Sequence, residues 1–172
     1  HHAYYLQLGK AQAAAGREQK AIASFSLLTK QEDVDPEFLY QAGELLINLG
    51  ELDTGMNSLF KAANIAESSP DHSDLLPKIN ARISTAYELN GESQQALCLL
   101  DKAIEADLEN PSWRVQKSDL LVKMEKYQAA IASLENALEL RPKDPRIHYK
   151  MAQLFSKIDP SEEALNHAQE AV

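Results

Sequence analysis

The side chains that could do chemistry are few and scattered along the chain. Besides an adjacent pair at its start, the histidines are His72, His148 and His167, each in a different stretch of sequence. Cys98 is the one cysteine and follows Leu97 on an apolar stretch, so we expect it to pack in a core. Catalysis requires convergent groups, such as a nucleophile with its base or a metal with several ligands. We therefore predict no enzyme activity, no metal and no cofactor.

The composition is that of a folded, helical and acidic protein. Hydrophobic residues make up 44% and charged residues 25% of the 172 residues, whereas aromatic residues make up only 6%. The strong helix formers Ala, Leu, Gln, Glu and Lys dominate. The formal net charge of −9 repels phosphate backbones, so nucleic acid is not an expected partner. No apolar run reaches the roughly 18 residues of a membrane-spanning helix, and we predict no membrane span.

A repeat with a period of 34 residues organises the chain. Gly16 and Gly50 are 34 residues apart, as are Pro111 and Pro145, while Gly50 and Gly91 are 41 apart. The longer interval indicates a polar, turn-forming insertion of seven residues, which we expect to be a surface loop or a helix extension followed by a loop. Five units then align, at residues 2–35, 36–67, 77–110, 111–144 and 145–172, with the insertion at about 68–76.

Alignment of the five units gives columns of uniformly small or mostly large residues. One small column is Gly9, Gly43, Ser84, Ser118 and Ala152, and a second is Ala21, Gly55, Ala96, Ala130 and Ala164. A large column is Tyr4, Phe38, Ile79, Trp113 and Ile147. Within each unit the apolar spacing of i, i+3, i+4 and i+7 predicts two helices. Small side chains opposite large ones let two antiparallel helices approach closely.

Glycine marks the turn between the two helices in the first three units. Gly16, Gly50 and Gly91 stand there, where a positive φ favours glycine. Glu125 and Asp159 take this place in the last two units. Pro160 follows Asp159 directly and is expected to lie in the first turn of the next helix.

Polar residues interrupt the core-facing side of the first helices. Asn80, Arg114 and His148 stand where large apolar residues are expected, and Lys117 falls near the centre of this side. In one interpretation, their stems pack on neighbouring residues and their polar heads reach the rim. In the other, the fourth unit is slightly displaced and exposes a cation.

The pattern resembles the tetratricopeptide repeat (TPR) family. The matching residues are Tyr5, Leu8, Gly9, Ala21 and Phe25 in the first unit, Tyr87, Ala96, Leu100 and Ala103 in the third, Leu121, Ala130, Leu134, Ala137 and Pro142 in the fourth, and Phe155, Ala164 and Ala171 in the fifth. The resemblance covers nearly the whole chain. It implies an all-α fold, a single right-handed α-α superhelix of antiparallel helix pairs. It also implies a non-catalytic interaction scaffold, whose first helices line a concave groove that binds a peptide or partner protein.

A helical wheel of about 100° per residue selects the side of each first helix that would line this groove. The candidate partner-binding residues, which we call the first-helix face, are Gln7, Lys10, Tyr40, Gln41, Glu44, Asn48, Lys78, Arg82, Gln116, Asp119, Lys123, Arg146, Tyr149, Lys150 and Lys157. The same wheel places Leu6, Ile47 and Ala81 on this side. One column of the face, Gln7, Gln41, Arg82, Gln116 and Lys150, could donate hydrogen bonds to the backbone of an extended peptide.

Positive charge is concentrated on the C-terminal part of this face. Residues 77–172 carry 12 basic and 15 acidic residues, yet their groove-lining side carries six cations and two acids. We hypothesise that this part of the groove binds an acidic segment or a C-terminal carboxylate. The alternative is chance clustering on a solvated face. One TPR subclass holds chaperone tails in a two-carboxylate clamp, whose basic pair Lys78 with Arg82 matches, but the asparagines of that clamp are replaced here.

Two other functions remain open. The chain could be a structural spacer or self-associate, because its last helix carries Leu165, Ala168 and Val172 with no polar capping helix after it. Either the parent protein continues beyond this solenoid or that apolar side is buried in another copy. A periplasmic scaffold in bacterial export is the second alternative.

Overall fold

Helices account for all regular structure in the part of the chain that the computed structural model describes, which is residues 2–158, the backbone of 162–165, and residues 166–171. The α-helices are α1 (His2–Ala14), α2 (Glu18–Thr29), α3 (Pro36–Asn48), α4 (Leu52–Ser68), α5 (Leu76–Leu89), α6 (Ser93–Ala106), α7 (Pro111–Lys123), α8 (Tyr127–Leu140), α9 (Pro145–Ile158) and α10 (Glu162–Glu170), and a 3-10 helix spans Pro70–Leu75. The predicted all-α class is confirmed. None of the described helices is both long enough and apolar enough to cross a membrane.

The chain divides into two compact halves. The N-terminal half, His1–Asn90, contains α1 to α5, and the C-terminal half, Gly91–Val172, contains α6 to α10. In the N-terminal half α1 packs on α2 and α3 on α4, and in the C-terminal half α7 packs on α8 and α9 on α10. A short turn joins α1 to α2, α3 to α4 and α7 to α8, so the helices of these three pairs run antiparallel, as the repeat predicts. The assignment of residues 1–172 to one solenoid stays a prediction.

The small columns let the paired helices touch. A Cβ atom added at Gly9 would overlap the ring of Phe25, which is fully buried. A Cβ atom at Gly43 would lie 2.8 Å from Cγ of Leu59 and 2.9 Å from the carbonyl oxygen of Gly55. Real Cβ atoms do not approach other heavy atoms so closely, so α1 and α3 can pack on α2 and α4 only where these residues are small.

The turns within the pairs use the left-handed backbone conformation. Gly16, Gly50 and Gly91 have φ of 69°, 85° and 82°, which confirms the prediction for all three. Glu125 holds the equivalent turn between α7 and α8 with φ of 59°, a conformation that disfavours a side chain with a Cβ. The predictions for Asp159 and Pro160 lie outside the described residues.

Three first helices begin with the same capping arrangement. Asp35 accepts a 2.8 Å hydrogen bond from the backbone of Glu37, and Asn110 accepts one of 3.0 Å from Ser112. The backbone of Arg146 donates likewise to Asp144, at 3.0 Å. A proline occupies the next position in each case, where its missing N–H costs nothing. The starts of α3, α7 and α9 are thereby fixed by two adjacent residues.

The insertion before α5 is mostly helical. The helix α4 extends to Ser68, and the 3-10 helix Pro70–Leu75 leads directly into α5, whose start has no side-chain cap. Leu75 at its end is buried. The predicted helix extension is therefore found, and a 3-10 helix stands where a loop was expected.

Several exposures differ from the sequence expectations. Tyr4 belongs to the large column but is 64% exposed, and Cys98 lies on the exposed side of α6, so its expected core packing is wrong. Conversely, Leu6, Ile47 and Ala81 are buried and do not line the first-helix face. A single wheel angle fails here because apolar side chains at the edge of the face still touch neighbouring helices. Of the apolar residues expected at the end of the last helix, Ala168 is exposed, and the side chains of Leu165 and Val172 lie outside the described residues.

Among the polar interruptions, Lys117 and Arg114 fit the first of the two interpretations, whereas the ring of His148 is buried and does not reach the rim. The ammonium of Lys117 is 2.6 Å from Asp101 on α6, and Arg114 donates to the carbonyl of Leu108 at 2.8 Å. His148 is only 7% exposed and both of its ring nitrogens are hydrogen-bonded. These heads are therefore satisfied within the C-terminal half.

Candidate functional site

The residues of the first-helix face are accessible in each of the two halves. None of its fifteen residues is buried, and they are carried by α1, α3 and α5 in the N-terminal half and by α7 and α9 in the C-terminal half. Gln7, Asn48 and Lys78 are exposed in the N-terminal half. Each half therefore offers its own set of polar side chains on the first helices.

In the N-terminal half, α1 and α3 are tied by a chain of side-chain hydrogen bonds. The ammonium of Lys10 donates to Oε1 of Gln41 at 2.7 Å. The amide nitrogen of Gln41 in turn donates to Oε1 of Glu37 at 2.8 Å. Gln41 thus uses both ends of its amide within the protein, although the sequence assigned it to a ladder of donors for a ligand.

The next tie joins α3 to α5. The guanidinium of Arg82 forms an ion pair with Glu44, and the side chains are only 25% and 30% exposed. Tyr40 lies in the same cluster. Burial and the adjacent Glu44 carboxylate raise the pKa of the Tyr40 phenol, whereas Arg82 opposes that shift. The phenol therefore stays neutral, and Arg82 is compensated by a carboxylate of its own half.

In the C-terminal half, α7 and α9 border a cavity of about 560 Å³, which we call the α7–α9 cavity. It is lined by Ser118, Asp119, Val122, Lys123, Leu134, Lys150, Gln153, Leu154, Ser156 and Lys157. Its floor is apolar, since Leu134 and Leu154 are 1% and 3% exposed. Three lysines and one aspartate lie around it. The structure thus brings four predicted face residues together, Asp119, Lys123, Lys150 and Lys157, around one opening.

One ion pair lies in the lining of this cavity. Nζ of Lys150 lies 2.5 Å from Oδ1 of Asp119, with side chains 35% and 49% exposed. Lys150 also borders a second cavity of about 230 Å³ near the starts of α7 and α9, together with Arg146. Arg146 is paired with Asp144 at 3.0 Å. Two of the predicted cations of this half therefore already have a carboxylate beside them.

The ties between first helices share one register. Lys10 and Gln41 are 31 residues apart, as are Asp119 and Lys150, while Glu44 and Arg82 are 38 apart across the seven-residue insertion. In each of these bonds, the second residue lies three residues before the position that is equivalent to the first residue in the next repeat. Three of the five members of the predicted donor column, Gln41, Arg82 and Lys150, therefore form bonds between first helices.

The structure does not gather every predicted residue. Gln116 and Tyr149 do not line the α7–α9 cavity, although Tyr149 is 57% exposed. Three lining residues were assigned to the core by sequence, namely Ser118, Leu134 and Leu154. The sequence carried no separate signal for an opening at this position, because the same columns hold close-packed residues in other units.

Two histidines, one on α9 and one on α10, contact each other in the last helix pair. Nε2 of His148 lies 2.8 Å from the carbonyl of Pro142, and Nδ1 lies 3.0 Å from Nδ1 of His167. Since a carbonyl only accepts, Nε2 of His148 carries a proton, and one proton is shared between the two Nδ1 atoms. No group of three histidine, cysteine or carboxylate side chains suited to a metal ion occurs among the described residues.

Comparison with known proteins gives one family. The family model described as TPR repeat matches residues 119–159. Tetratricopeptide repeat protein 16 of Macaca fascicularis is 22% identical over 166 residues, which is 92% of this chain and 19% of that protein. Anaphase-promoting complex subunit 3 of Schizosaccharomyces pombe is 25% identical over 118 residues, 67% of this chain and 17% of that protein. The chain spans less than a fifth of the length of each of these two relatives.

A similar fold is present among solved structures. The structure of MamA from MSR-1 superposes with a TM-score of 0.68 at 25% sequence identity. The match covers 99% of this chain and 94% of that chain. The helical repeat found here is therefore shared with a protein of similar length.

Proposed function

We propose that this chain, which is similar to tetratricopeptide repeat proteins in sequence and fold, is a non-catalytic scaffold that holds an acidic segment of a partner protein on its first-helix face. The family fold serves protein–protein interaction, and one of the relatives is a subunit of a multiprotein complex. The acidic character of the partner is argued from the charges of the face alone.

The observation that carries the proposal is the α7–α9 cavity. It gathers Lys123, Lys150 and Lys157 from two helices around one opening, in a chain whose formal net charge is −9. Three lysines and one aspartate leave an excess of positive charge at this opening, which a carboxylate-bearing ligand would offset. Three ammonium groups around an opening with an apolar floor favour a carboxylate-bearing segment and disfavour a basic one.

The two halves differ in the balance of charge on the face and not in whether its cations are paired. Of the face cations Lys10, Lys78 and Arg82 in the N-terminal half, Lys10 donates to Gln41 and Arg82 is paired with Glu44. Lys150 is likewise paired with Asp119 in the C-terminal half. The C-terminal half, with more lysine than carboxylate around its cavity, is therefore the part of the face proposed to bind the acidic segment.

Selection from a random peptide library on immobilised protein tests this proposal. We expect the selected sequences to be enriched in Asp and Glu relative to the library. Replacement of Lys123 and Lys157 by Glu should abolish that enrichment. The matched control replaces Lys102 and Lys126 by Glu. These are also exposed lysines of the C-terminal half, but they do not line this cavity, so the enrichment in Asp and Glu should persist. Enrichment of basic peptides, or equal enrichment with both double variants, would contradict the proposal.

A further inference from the structure

We propose that the α7–α9 cavity is an anchor site for one apolar side chain flanked by carboxylates, and that Asp119 is a built-in competitor for the ligand carboxylate that Lys150 binds. This inference rests on the proposed function and names the ligand chemistry of one part of the face. It makes a prediction of unusual sign, since loss of a residue that lines the site should strengthen binding.

The shape and the lining of the cavity support the apolar anchor. Its volume of about 560 Å³ lies in the range of sites that enclose a ligand group. Val122, Leu134 and Leu154 are its apolar lining residues, and the polar lining residue Ser118 is buried beside them. Water on such a floor is released when an apolar side chain covers it, which favours binding. An all-acidic segment would leave this floor uncovered.

The state of Lys150 supports the competitor role of Asp119. The Asp119 carboxylate lies 2.5 Å from Nζ of Lys150, at the edge of the cavity. Both side chains are one-third to one-half exposed, and exposed ion pairs are weak because water solvates the separated charges almost as well. A ligand carboxylate can therefore take the place of Asp119, while Asp119 itself repels the approaching acidic segment.

The other ties between first helices show why the aspartate can be changed safely. At the same register in the N-terminal half, the neutral amide of Gln41 accepts a hydrogen bond from Lys10. An asparagine at 119 can accept from Lys150 in the same way. Asp119→Asn therefore keeps a bond between α7 and α9 and removes only the negative charge.

The chain offers a closely matched control. Asp101 lies 2.6 Å from Nζ of Lys117, and these side chains are 50% and 29% exposed, against 49% and 35% for Asp119 and Lys150. Asp101→Asn changes the net charge equally and weakens a similar ion pair. Asp101 does not line the α7–α9 cavity. An effect of the overall charge should therefore appear in both variants, whereas an effect at the cavity should appear only in Asp119→Asn.

The test uses two nine-residue peptides, each with four glutamates placed around a central residue that is leucine in one and serine in the other. Fluorescence anisotropy measures their affinities for the full chain and the two variants. We expect the leucine peptide to bind about tenfold or more tightly than the serine peptide. Asp119→Asn should strengthen binding by about two- to fivefold, less at high salt, and Asp101→Asn should leave it unchanged.

Chemical-shift mapping on the labelled protein locates the peptide and separates the possible failures. Shifts concentrated on α7 and α9 support the inference. Equal affinity of the two peptides would overturn the anchor site, and no gain from Asp119→Asn would overturn the competitor role of Asp119, while the acidic partner of the proposed function stands. Shifts centred on α1, α3 and α5 would overturn both the anchor site and the placement of the acidic segment on the C-terminal half. No saturable binding of either peptide at millimolar concentration would overturn this inference and the proposed function.

Discussion

Two buried serines of the N-terminal half should respond in opposite ways to the same substitution. Ser58 on α4 is 1% exposed and donates a 2.8 Å hydrogen bond to the carbonyl of Leu39 on α3. Ser84 on α5 is fully buried, and its hydroxyl has no hydrogen-bond partner among the described residues. Both serines lie in the same compact half, so both variants report on the unfolding of the same unit.

The magnitudes follow from what each hydroxyl does. Ser58→Ala loses a buried hydrogen bond, whose net value is about 1 kcal/mol, so the free energy of unfolding should fall by about that amount. Ser84→Ala removes a hydroxyl that folding strips of water without compensation, a cost of about 1–3 kcal/mol in proteins. Alanine is also the better helix former. Ser84→Ala should therefore raise the free energy of unfolding by about 1 kcal/mol.

Urea unfolding followed by far-UV circular dichroism measures both changes, with equal slopes required before midpoints are compared. Ser68→Ala is the control, because Ser68 is exposed and donates a comparable 2.9 Å bond to Asn64. Its effect should stay within about 0.5 kcal/mol. If Ser84→Ala lowers stability as much as Ser58→Ala, the hydroxyl of Ser84 makes a bond that this geometry does not contain, and the reasoning fails.

Two further predictions concern helix ends. Hydrogen bonding from Arg146 lowers the pKa of Asp144, so its carboxylate stabilises the fold above the ordinary carboxyl pKa, and this contribution is lost as the pH falls through the lowered value. Asp144→Asn keeps the cap of α9 but removes the charge. The urea midpoint of this variant should lie below that of the unchanged chain at pH 7, and the two midpoints should converge at acidic pH. A difference between the midpoints that does not change with pH would contradict the lowered pKa of Asp144. Glu125 has φ of 59°, so Glu125→Gly should raise the free energy of unfolding by up to about 1 kcal/mol. Glu135→Gly, in the middle of α8, is the control and should lower it. Equal losses of stability in the two variants would show that the turn at Glu125 is not strained.

Much of the local structure was legible in the sequence. The period of 34 residues placed the starts of α3, α7 and α9 on their prolines, and Gly16 and Gly50 on the turns with positive φ. These signals are local, because a proline or a glycine acts on the backbone where it stands. The Asp-Pro and Asn-Pro pairs that the structure shows at the starts of those helices act locally in the same way.

The charges of the first-helix face were harder to predict. A helical wheel showed that Arg82 and Lys150 lie on the same side as the other cations. It did not show that Glu44 and Asp119, on the preceding first helices, are close enough to pair with them. Those partners are 38 and 31 residues away in sequence. Their meeting depends on how consecutive first helices are offset, which a wheel of one helix does not contain.

The sequence by itself determined the helices, their pairing and the side of each first helix that stays polar, because side-chain size and periodicity act within a single repeat. Only the tertiary structure decided which polar groups are used up between helices and where a cavity opens. Ser118, Leu134 and Leu154 look like ordinary core positions until α7, α8 and α9 are assembled, and their packing then leaves about 560 Å³ beneath three lysines. Packing between helices fixes such distances, and no single repeat specifies them.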